Sequence, residues 1–406
     1  MYFYAARQPI LDKEKKLFAY ELLFRDSIVN VFPDIDADEA TTKMIEASNF
    51  NLGISEFTGN KPAFINFTLE TLIKGYPETL TTDEVVVEIL ETVKPGKKLL
   101  AICKDLNEKG YTIALDDYIH QAVWQHFYPF IHIIKIDWQD TSIDTIKAVK
   151  TAIIEFPHIK LLAEKVETYE EYNQAVELGF ELFQGFFFAK PEMVKTKNLS
   201  PSQMAMAELL YETSKKDLDL GSITSVFERD VTLSYKLLRY ANSAIFKRRN
   251  EISTIKQALV TLGSAELKRF LGLMFASNIN PDKPSELINA AMTRAKFCEL
   301  MASEVKSPID NSIAFLTGLL SLIDAIVDED LTSILEKLPL AQEIKDTLLT
   351  RQGVMAELIM LLEFIEHAEW SKTTVLTEKL GLEKTNVVKH YNEAIAWSDD
   401  QSSANY

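Results

Sequence analysis

Val85-Val86-Val87-Glu88-Ile89-Leu90 is a short run of apolar residues, half of them β-branched Val, that carries a single carboxylate. Its composition is typical of a buried β-strand. A helix-like segment follows over Gly96 to Lys109, and a second strand-like run follows over Thr112 to Leu115. Because two parallel strands need a crossover between them, this succession predicts a parallel β-α-β unit.

The same alternation extends over the first half of the chain. The strand-like runs are Phe3 to Ile10, Leu17 to Phe24, Ala63 to Phe67, Val85 to Leu90, Thr112 to Leu115, Ile131 to Ile136, Lys160 to Val166 and Leu182 to Phe188. Only Leu11 to Lys16 separates the first two, so that pair is expected to form an antiparallel hairpin. We therefore predict an α/β domain over residues 1–195, a modified TIM-like (β/α) barrel with one antiparallel strand.

The pattern becomes helical from Ser200 onward, where apolar residues recur at helical spacing. Gly263 is expected to end one helix, and Thr385 is expected to begin the last one. The segment Glu192 to Leu199 has few apolar residues and is interpreted as a linker. We therefore predict an all-α helical domain over residues 200–398.

The composition excludes several classes of partner. The 406 residues carry a net charge of −17 and contain no long run of Lys or Arg. Binding of a DNA or RNA polymer, or of an anionic membrane surface, is therefore not expected. The chain shows no secretion signal or membrane-spanning stretch, and Cys103 and Cys298 are expected to be buried free thiols. These features predict a cytoplasmic protein.

Polar side chains recur at or just beyond the carboxyl ends of the predicted strands. They are Glu21, Asn66, Glu88, Asp116, Asp117, Lys135, Glu164 and Gln184. Alternation along a strand places Glu88 on the same face as Val86, so its carboxylate is expected to point into the barrel. An unpaired buried carboxylate costs several kcal/mol, so the set needs a compensating charge.

One or two divalent cations are the natural compensation for such a set. Its members include no Cys or His, and carboxylate and amide oxygens favour Mg²⁺ or Mn²⁺ over zinc. A pair of these ions would activate water and offset the charge of a phosphate. The alternative interpretation is solvation of strand ends and helix capping, which explains a single member better than the recurrence.

Lys135, in Ile133-Ile134-Lys135-Ile136-Asp137, has three interpretations. It could form a Schiff base, neutralise a phosphate or a metal-bound hydroxide, or pair structurally with a neighbouring acid. The surrounding carboxylates hold its pKa high, which disfavours the Schiff base.

Eight ordered motifs in the first half resemble the signatures of EAL-type cyclic di-GMP phosphodiesterases. They are Gln8-Pro9-Ile10, Glu21-Leu22-Leu23-Phe24-Arg25, Phe64-Ile65-Asn66, Glu88-Ile89-Leu90-Glu91, Leu115-Asp116-Asp117-Tyr118, Lys135-Ile136-Asp137, Ala163-Glu164-Lys165-Val166-Glu167 and Gln184-Gly185-Phe186-Phe187-Phe188. The resemblance covers nearly the whole first half.

This resemblance implies a role for each member of the site. The implied metal ligands or their immediate partners are Glu21, Asn66, Glu88, Asp116, Asp117 and Glu164. The implied catalytic residues are Glu164, Lys135 and Asp117, with Glu164 as a candidate base and Lys135 assisting the nucleophilic water. The implied substrate-binding residues are Gln8, Arg25, Gln184 and Glu91.

The sequence also departs from the family pattern. Leu22 stands where the motif that names the family has Ala, and Lys165 replaces a usual Gly. The loop after the Asp pair reads Tyr118-Ile119-His120-Gln121 and lacks the glycine that family members carry there. In the family this loop links metal binding, substrate and dimerisation, and Glu91, which usually anchors it, is present. We expect a stiffer, differently placed loop.

The helical half resembles the HDOD domain, a relative of HD phosphohydrolases, over Leu233 to Ala244 and Ile255 to Gly263. This half contains no His-Asp pair, so we do not expect a metallohydrolase site of that type. Asn242-Ser243 is interpreted as a helix-terminating turn. The implied role of this half is contact with a protein partner, which the sequence does not identify.

Two functions are compatible with these features. The first is a metal-dependent phosphodiesterase that hydrolyses cyclic di-GMP to linear pGpG and carries an HDOD interaction domain. The alternative is a catalytically weak or inactive cyclic di-GMP receptor that regulates partners through the HDOD domain. The family resemblance also admits a homodimer.

Overall fold

A computed structural model describes residues 4–25, 54–190, 209, 212, 219–229, 231–242, 252–278, 284–306, 309–338 and 340–403 of this chain. Two of the sequence predictions fall elsewhere. The linker predicted over residues 192–199 lies outside the described residues, so the domain limits 1–195 and 200–398 stay predictions. The side chain of Arg25 also lies outside the described part, although its backbone ends a strand.

Eight strands close into a barrel in their order along the chain. They are β1 (Tyr4–Asp12), β2 (Leu17–Arg25), β3 (Ala63–Phe67), β4 (Val85–Ile89), β5 (Thr112–Leu115), β6 (Ile133–Asp137), β7 (Lys160–Glu164) and β8 (Leu182–Gln184). Strand β1 is antiparallel to both β2 and β8, and the other neighbouring pairs are parallel. The predicted modified TIM-like barrel is confirmed.

Short helices connect most of these strands. They are α1 (Ile54–Thr58), α2 (Leu69–Ile73), α3 (Lys97–Glu108), α4 (Ile143–Ala152) and α5 (Tyr169–Glu177). Helix α5 begins with a capping box, in which Thr168 and Glu171 satisfy each other's backbone N–H groups. Two short 3₁₀ turns, Ala122–His126 and Tyr128–Phe130, join β5 to β6 instead of a helix.

The inner faces of the strands form an apolar layer that fills the barrel. It consists of one residue from each strand, namely Ile10, Ala19, Phe64, Val86, Ala114, Ile133, Leu162 and Leu182. The outward-facing residues of the same strands join a larger cluster with the surrounding helices. This division follows from the two-residue period of a strand, which sends alternate side chains to opposite faces.

Every described element beyond residue 190 is helical, as predicted. These helices are α6 (Leu220–Arg229), α7 (Val231–Ala241), α8 (Ile255–Asn278), α9 (Ser285–Met301), α10 (Asn311–Leu320), α11 (Ile323–Val327), α12 (Leu331–Lys337), α13 (Gln342–Thr350), α14 (Val354–Glu366), α15 (Trp370–Leu380) and α16 (Lys384–Ser403). Gly263 interrupts α8 with a left-handed φ of 70°, which fits the predicted helix stop. Thr385 is the second residue of α16, where the last helix was expected to begin.

None of the helices in the described part of the chain combines the length and the apolar character needed to cross a membrane.

Candidate active site

A polar layer lies directly above the apolar layer at one end of the barrel. Its members are Gln8, Glu21, Asn66, Glu88, Asp116, Lys135, Glu164 and Gln184. In β2 to β8 each lies two residues farther along the chain than the apolar-layer residue of its strand, as Glu88 follows Val86. Because β1 runs the opposite way, Gln8 precedes Ile10 instead. The predicted residues therefore line one mouth of the barrel.

Lys135 stands at the centre of this layer. Its ammonium Nζ lies 2.8 Å from Glu164 Oε1, 3.0 Å from Asp116 Oδ1 and 3.1 Å from Glu21 Oε2, and it also contacts Glu88 Oε1. Lys135 and Glu88 are fully buried. Burial opposes the charged form of the lysine, but the carboxylates around it hold its pKa well above the ordinary value. The structural pairing with acids is thus formed, which leaves a Schiff base disfavoured.

One ammonium does not neutralise four carboxylates. Burial, countered in part by Lys135, raises the pKa of Glu164 to about 8 and raises that of Glu88 well above its ordinary range. The buried oxygens Glu88 Oε2, Glu164 Oε2 and Gln184 Oε1 have no hydrogen-bond partner among the described residues. Such oxygens ordinarily have a partner, so their presence in one layer indicates room for a further cation or donor.

The donor set therefore fits a hard divalent cation in its chemistry. No three His, Cys, Asp or Glu side chains within the described ranges stand in a ready-made coordination geometry. The reason is that the ammonium of Lys135 lies at the centre of the layer and pairs with all four carboxylates. A cation bound here would have to share or displace those lysine contacts.

Gln184 and Gln8 complete the layer on the side of β1. The Gln184 amide Nε2 donates to Glu21 Oε2 at 2.7 Å and to Gln8 Oε1 at 3.0 Å. The Gln8 amide Nε2 in turn donates to the backbone oxygen of Glu366 at 3.3 Å. The two predicted substrate-binding amides are thus joined to a predicted metal ligand and to the end of α14.

Asp117 lies at the rim, just outside the polar layer. It adopts a left-handed φ of 37°, and burial together with neighbouring Asp116 raises its pKa. Asp116, Asp117 and Tyr118 line a recess that Glu91 also lines, and the role of Glu91 as the anchor of the loop stays a prediction. Glu91 itself is exposed.

The loop after Asp117 is held by its aromatic residue. Tyr118 is buried, its N–H donates to the Lys135 oxygen at 3.0 Å, and its hydroxyl lies 2.8 Å from that of Tyr128. Ile119 follows with 70% of its surface exposed. The positive φ that a glycine would favour falls on Asp117, one residue earlier.

Lys165 and Asp137 are two site neighbours to which the sequence reasoning assigned no role. Lys165 has a φ of 56°, so the position suits the usual glycine, and its ammonium pairs with Asp137 Oδ2. Asp137 also accepts from the N–H groups of Gln139 at 2.8 Å and Asp140 at 3.0 Å. Partial burial opposes ionisation, but these donors lower the pKa of Asp137. Its spacing two residues after Lys135 is the signal that would have placed it on the same inner face.

Phe186 and His367 form a contact at the mouth that no local pattern predicted. Phe186 follows β8, and the imidazole of His367 stacks on it with ring centres 3.7 Å apart and planes 18° apart. The Nδ1 atom of His367 lies 2.7 Å from the backbone oxygen of Glu363. The two rings are far apart in the sequence, so only the packing of the helical half against the barrel brings them together.

Asn242 in the helical half has the structural role expected of it. Its amide Nδ2 donates to the oxygens of Leu238 at 2.9 Å and Ile252 at 2.8 Å, and its Oδ1 accepts from the Ile252 N–H at 2.8 Å. These bonds tie the end of α7 to the segment before α8. Ser243 lies outside the described residues.

Comparison with known proteins places both halves. The model of the EAL domain matches residues 16–191, and the model of the HDOD domain matches residues 199–337. The chain is 38% identical over 399 residues to the cyclic di-GMP phosphodiesterase CdgJ of Vibrio cholerae, covering 98% of this chain and 92% of that protein. It is 34% identical over 405 residues to the uncharacterized protein YuxH of Bacillus subtilis, covering 97% of each chain.

Among solved structures, the calcium and cyclic di-GMP complex of Klebsiella pneumoniae BlrP1 is 24% identical, with a TM-score of 0.39. The match covers 47% of this chain and 55% of that one, so this chain spans about half the length of BlrP1. The end-to-end relatives and the two domain models carry the assignment by themselves. The chain belongs to the family of proteins that join an EAL domain to an HDOD domain.

Proposed function

We propose that this protein is a metal-dependent phosphodiesterase that hydrolyses cyclic di-GMP to linear pGpG. The observation that carries the proposal is the polar layer, in which four carboxylates surround one ammonium at the mouth of the barrel. The domain models and the activity of CdgJ, which the chain matches along nearly its whole length, support the same reaction.

Mg²⁺ or Mn²⁺, as one or two ions, is the proposed cofactor. Glu21, Asn66, Glu88, Asp116, Asp117 and Glu164 are the residues that would hold it. The unpartnered oxygens of Glu88 and Glu164 support this assignment, because hard cations take oxygen ligands. A bound ion would lower the pKa of a water molecule and offset the negative charge of the phosphodiester.

Lys135 and Glu164 are the proposed proton-handling pair. The pKa of Glu164 is about 8 without metal, and a bound cation would lower it, so the carboxylate would be ionised near neutral pH and able to accept a proton as a general base. The Lys135 ammonium, 2.8 Å from Glu164 Oε1, orients that carboxylate and contributes positive charge near the attacking water. Asp117, at the rim, completes the proposed catalytic set.

The remaining polar residues of the mouth are proposed to hold the substrate. Gln8 and Gln184 present amide groups beside Glu21, and Arg25 ends the strand that carries Glu21. Glu91 shares the recess of Asp116 and Asp117 on the other side. Amides and a guanidinium suit phosphate oxygens and guanine edges, since they offer several donors in fixed directions.

A receptor without turnover is the second candidate function. The observation that favours it is the loop after Asp117, which lacks glycine and is held in place by buried Tyr118. Ligands on strands tolerate a displaced loop, whereas an attacking water does not, since a shift of about 1 Å costs about a hundredfold in rate. We expect slower turnover than in relatives whose loop contains glycine.

Two measurements on the purified chain distinguish these functions. The first incubates it with cyclic di-GMP and Mn²⁺ or Mg²⁺ and separates the nucleotides, and pGpG is the expected product. The second measures cyclic di-GMP binding by calorimetry in Ca²⁺, where binding is expected to persist. Binding without any product would select the receptor, and absence of both would reject both functions.

The helical half is proposed to contact a protein partner. The barrel is proposed to form a homodimer, because the apolar side chains of Ile119 and Val123 are exposed beside the mouth and suit contact with a second copy. Size-exclusion chromatography with light scattering tests the homodimer.

Cys103 and Cys298 are both buried free thiols, which supports a cytoplasmic location because disulfides are rare in that compartment.

A further inference from the structure

The helical half contacts the outer face of β1, the first strand of the barrel, through side-chain hydrogen bonds. The guanidinium of Arg7, in β1, forms two hydrogen bonds with the carboxylate of Asp399, in α16, each 2.8 Å long. A third bond of 2.7 Å joins Arg7 to the backbone oxygen of Phe57. The side chain of Arg7 is 7% exposed and that of Asp399 is 22% exposed, so the pair is largely shielded from water. Asp399 thereby fixes Arg7 in one position.

A second side-chain contact joins the helical half to the neighbouring strand, β2. The hydroxyl of Tyr20, in β2, donates to Glu286 Oε2, in α9, at 2.8 Å. Asn289 donates to the other oxygen of the same carboxylate at 3.0 Å. The guanidinium of Arg7 lies over the Tyr20 ring, 4.5 Å from its centre. The two contacts therefore form one buried cluster that spans both strands and two helices.

This cluster lies directly behind the polar layer. Arg7 precedes Gln8 and Tyr20 precedes Glu21, and Gln8 and Glu21 are paired residues in the β1–β2 ladder. Successive side chains of a strand point to opposite faces, so the helical half holds the outer side of the same two strands whose inner side carries Gln8 and Glu21. The contact of Gln8 with the Glu366 oxygen adds a link on the inner side.

We infer that Arg7 and Tyr20 are positioning residues, through which Asp399 and Glu286 of the helical half set the placement of Gln8 and Glu21 in the active site. The inference rests on the proposed function, and it makes the helical half part of the catalytic unit. This bidentate ion pair resists displacement, because separating it leaves the buried guanidinium of Arg7 without a compensating charge. The β1–β2 backbone is thus held from outside.

The test compares two variants of the full chain, Tyr20→Phe and Asp399→Asn, with the matched control Ser398→Ala. Ser398 neighbours Asp399 on α16 and donates to the Asn289 oxygen at 3.1 Å, within the helical half. Free Mn²⁺ is followed by electron paramagnetic resonance without nucleotide, and turnover is measured separately. Loss of a group that hydrogen-bonds a metal ligand costs about 10- to 100-fold in metal affinity, and we expect a loss of about tenfold in Tyr20→Phe and Asp399→Asn, which act through the strand backbone.

The control is expected to bind Mn²⁺ as the unaltered chain does, although it also loses a buried hydrogen bond. Tyr20→Phe removes one hydroxyl and keeps the ring, so it still tests the positioning role of the cluster if Asp399→Asn does not fold. Folded variants that match the unaltered chain in Mn²⁺ affinity and in turnover would overturn the inference alone. An unaltered chain that neither binds Mn²⁺ nor acts on cyclic di-GMP would instead reject the proposed function.

Discussion

Two charge clusters, each formed around a buried cation, resemble each other in composition but differ in the balance of positive and negative charge. In the Lys135 cluster, one ammonium meets Glu21, Glu88, Asp116 and Glu164. In the Arg294 cluster, the buried Arg294 pairs with Glu363 at 3.2 Å and Glu366 at 2.6 Å, and Arg351 also pairs with Glu363. The first has an excess of negative charge, and the second has two cations for two carboxylates.

The difference appears in individual atoms. The carboxylate oxygens Glu88 Oε2 and Glu164 Oε2 lack a hydrogen-bond partner in the described part of the chain. All four carboxylate oxygens of Glu363 and Glu366, by contrast, contact a guanidinium. A balanced, satisfied cluster holds helices together, whereas an unbalanced one is suited to take up a further cation. The same residue types thus serve structure in one half and binding in the other.

Removing a carboxylate from each cluster should separate these roles most strongly. Glu88→Ala is expected to lower turnover by at least about a hundredfold, because it deletes a proposed metal ligand. Glu21→Ala should act in the same way. Glu363→Ala is the control from the Arg294 cluster and should lower stability while leaving the rate of the folded protein unchanged. Initial rates of pGpG formation with Mn²⁺ give the comparison, and undiminished turnover in folded Glu88→Ala and Glu21→Ala would contradict the site assignment.

Removing the cation from each cluster tests their difference in charge. Arg294→Met should destabilise the fold by about 1 to 3 kcal/mol, since it leaves the partly buried Glu366 without a cation, whereas Glu363 keeps Arg351. Lys135→Met should also destabilise the metal-free chain. Thermal unfolding with Mn²⁺ and with a chelator is the measurement, and Mn²⁺ should raise the melting temperature of Lys135→Met by more than it raises that of Arg294→Met, in which Lys135 still pairs with the carboxylates of the proposed metal site. Equal responses of the two variants to Mn²⁺ would remove the distinction.

The raised pKa of Glu164 predicts an unusual pH dependence. Its pKa is about 8 in the fold and about 4.5 in an unfolded chain, so the folded state holds the extra proton between these values. Stability of the metal-free protein should therefore fall, with a limiting slope of about 1.4 kcal/mol for each pH unit, as the pH rises through that window. Urea unfolding at several pH values measures this slope, and Glu164→Gln should flatten it. A slope unchanged in Glu164→Gln would show that this carboxyl is not its source.

The smallest effect is expected at Lys165, beside the unbalanced cluster. Lys165→Gly relieves a left-handed φ of 56° but loses the ion pair with Asp137. The lysine side chain is 58% exposed, so the pair contributes little. We expect the free energy of unfolding to change by less than about 1 kcal/mol. Chemical denaturation measures it, and a large loss of stability would mean that the Lys165 pair supports the barrel mouth.

The sequence by itself determined the barrel, its antiparallel β1–β2 pair and seven of the eight residues of the polar layer. The strand pattern included Asp117, which lies at the rim, and did not include Gln8. These features depend on short-range patterns, because the two-residue period of a strand settles which side chains share a face. The short segment Leu11 to Lys16 likewise allows only a hairpin between β1 and β2. For the same reason, one carboxylate or amide at each strand end was enough to place Glu88 and Glu164 at one mouth.

Tertiary structure alone decided how many carboxylates surround Lys135 and which residues of the helical half contact the outer face of β1 and β2. The convergence of four carboxylates on Lys135 depends on barrel closure, which joins residues as far apart as Glu21 and Glu164. Arg7 and Asp399 are 392 positions apart, so no local period relates them. Long-range contacts arise from burial and pairing across elements, which a linear pattern does not encode. The contacts between the helical half and the outer face of β1 and β2 could therefore be found only from the folded chain.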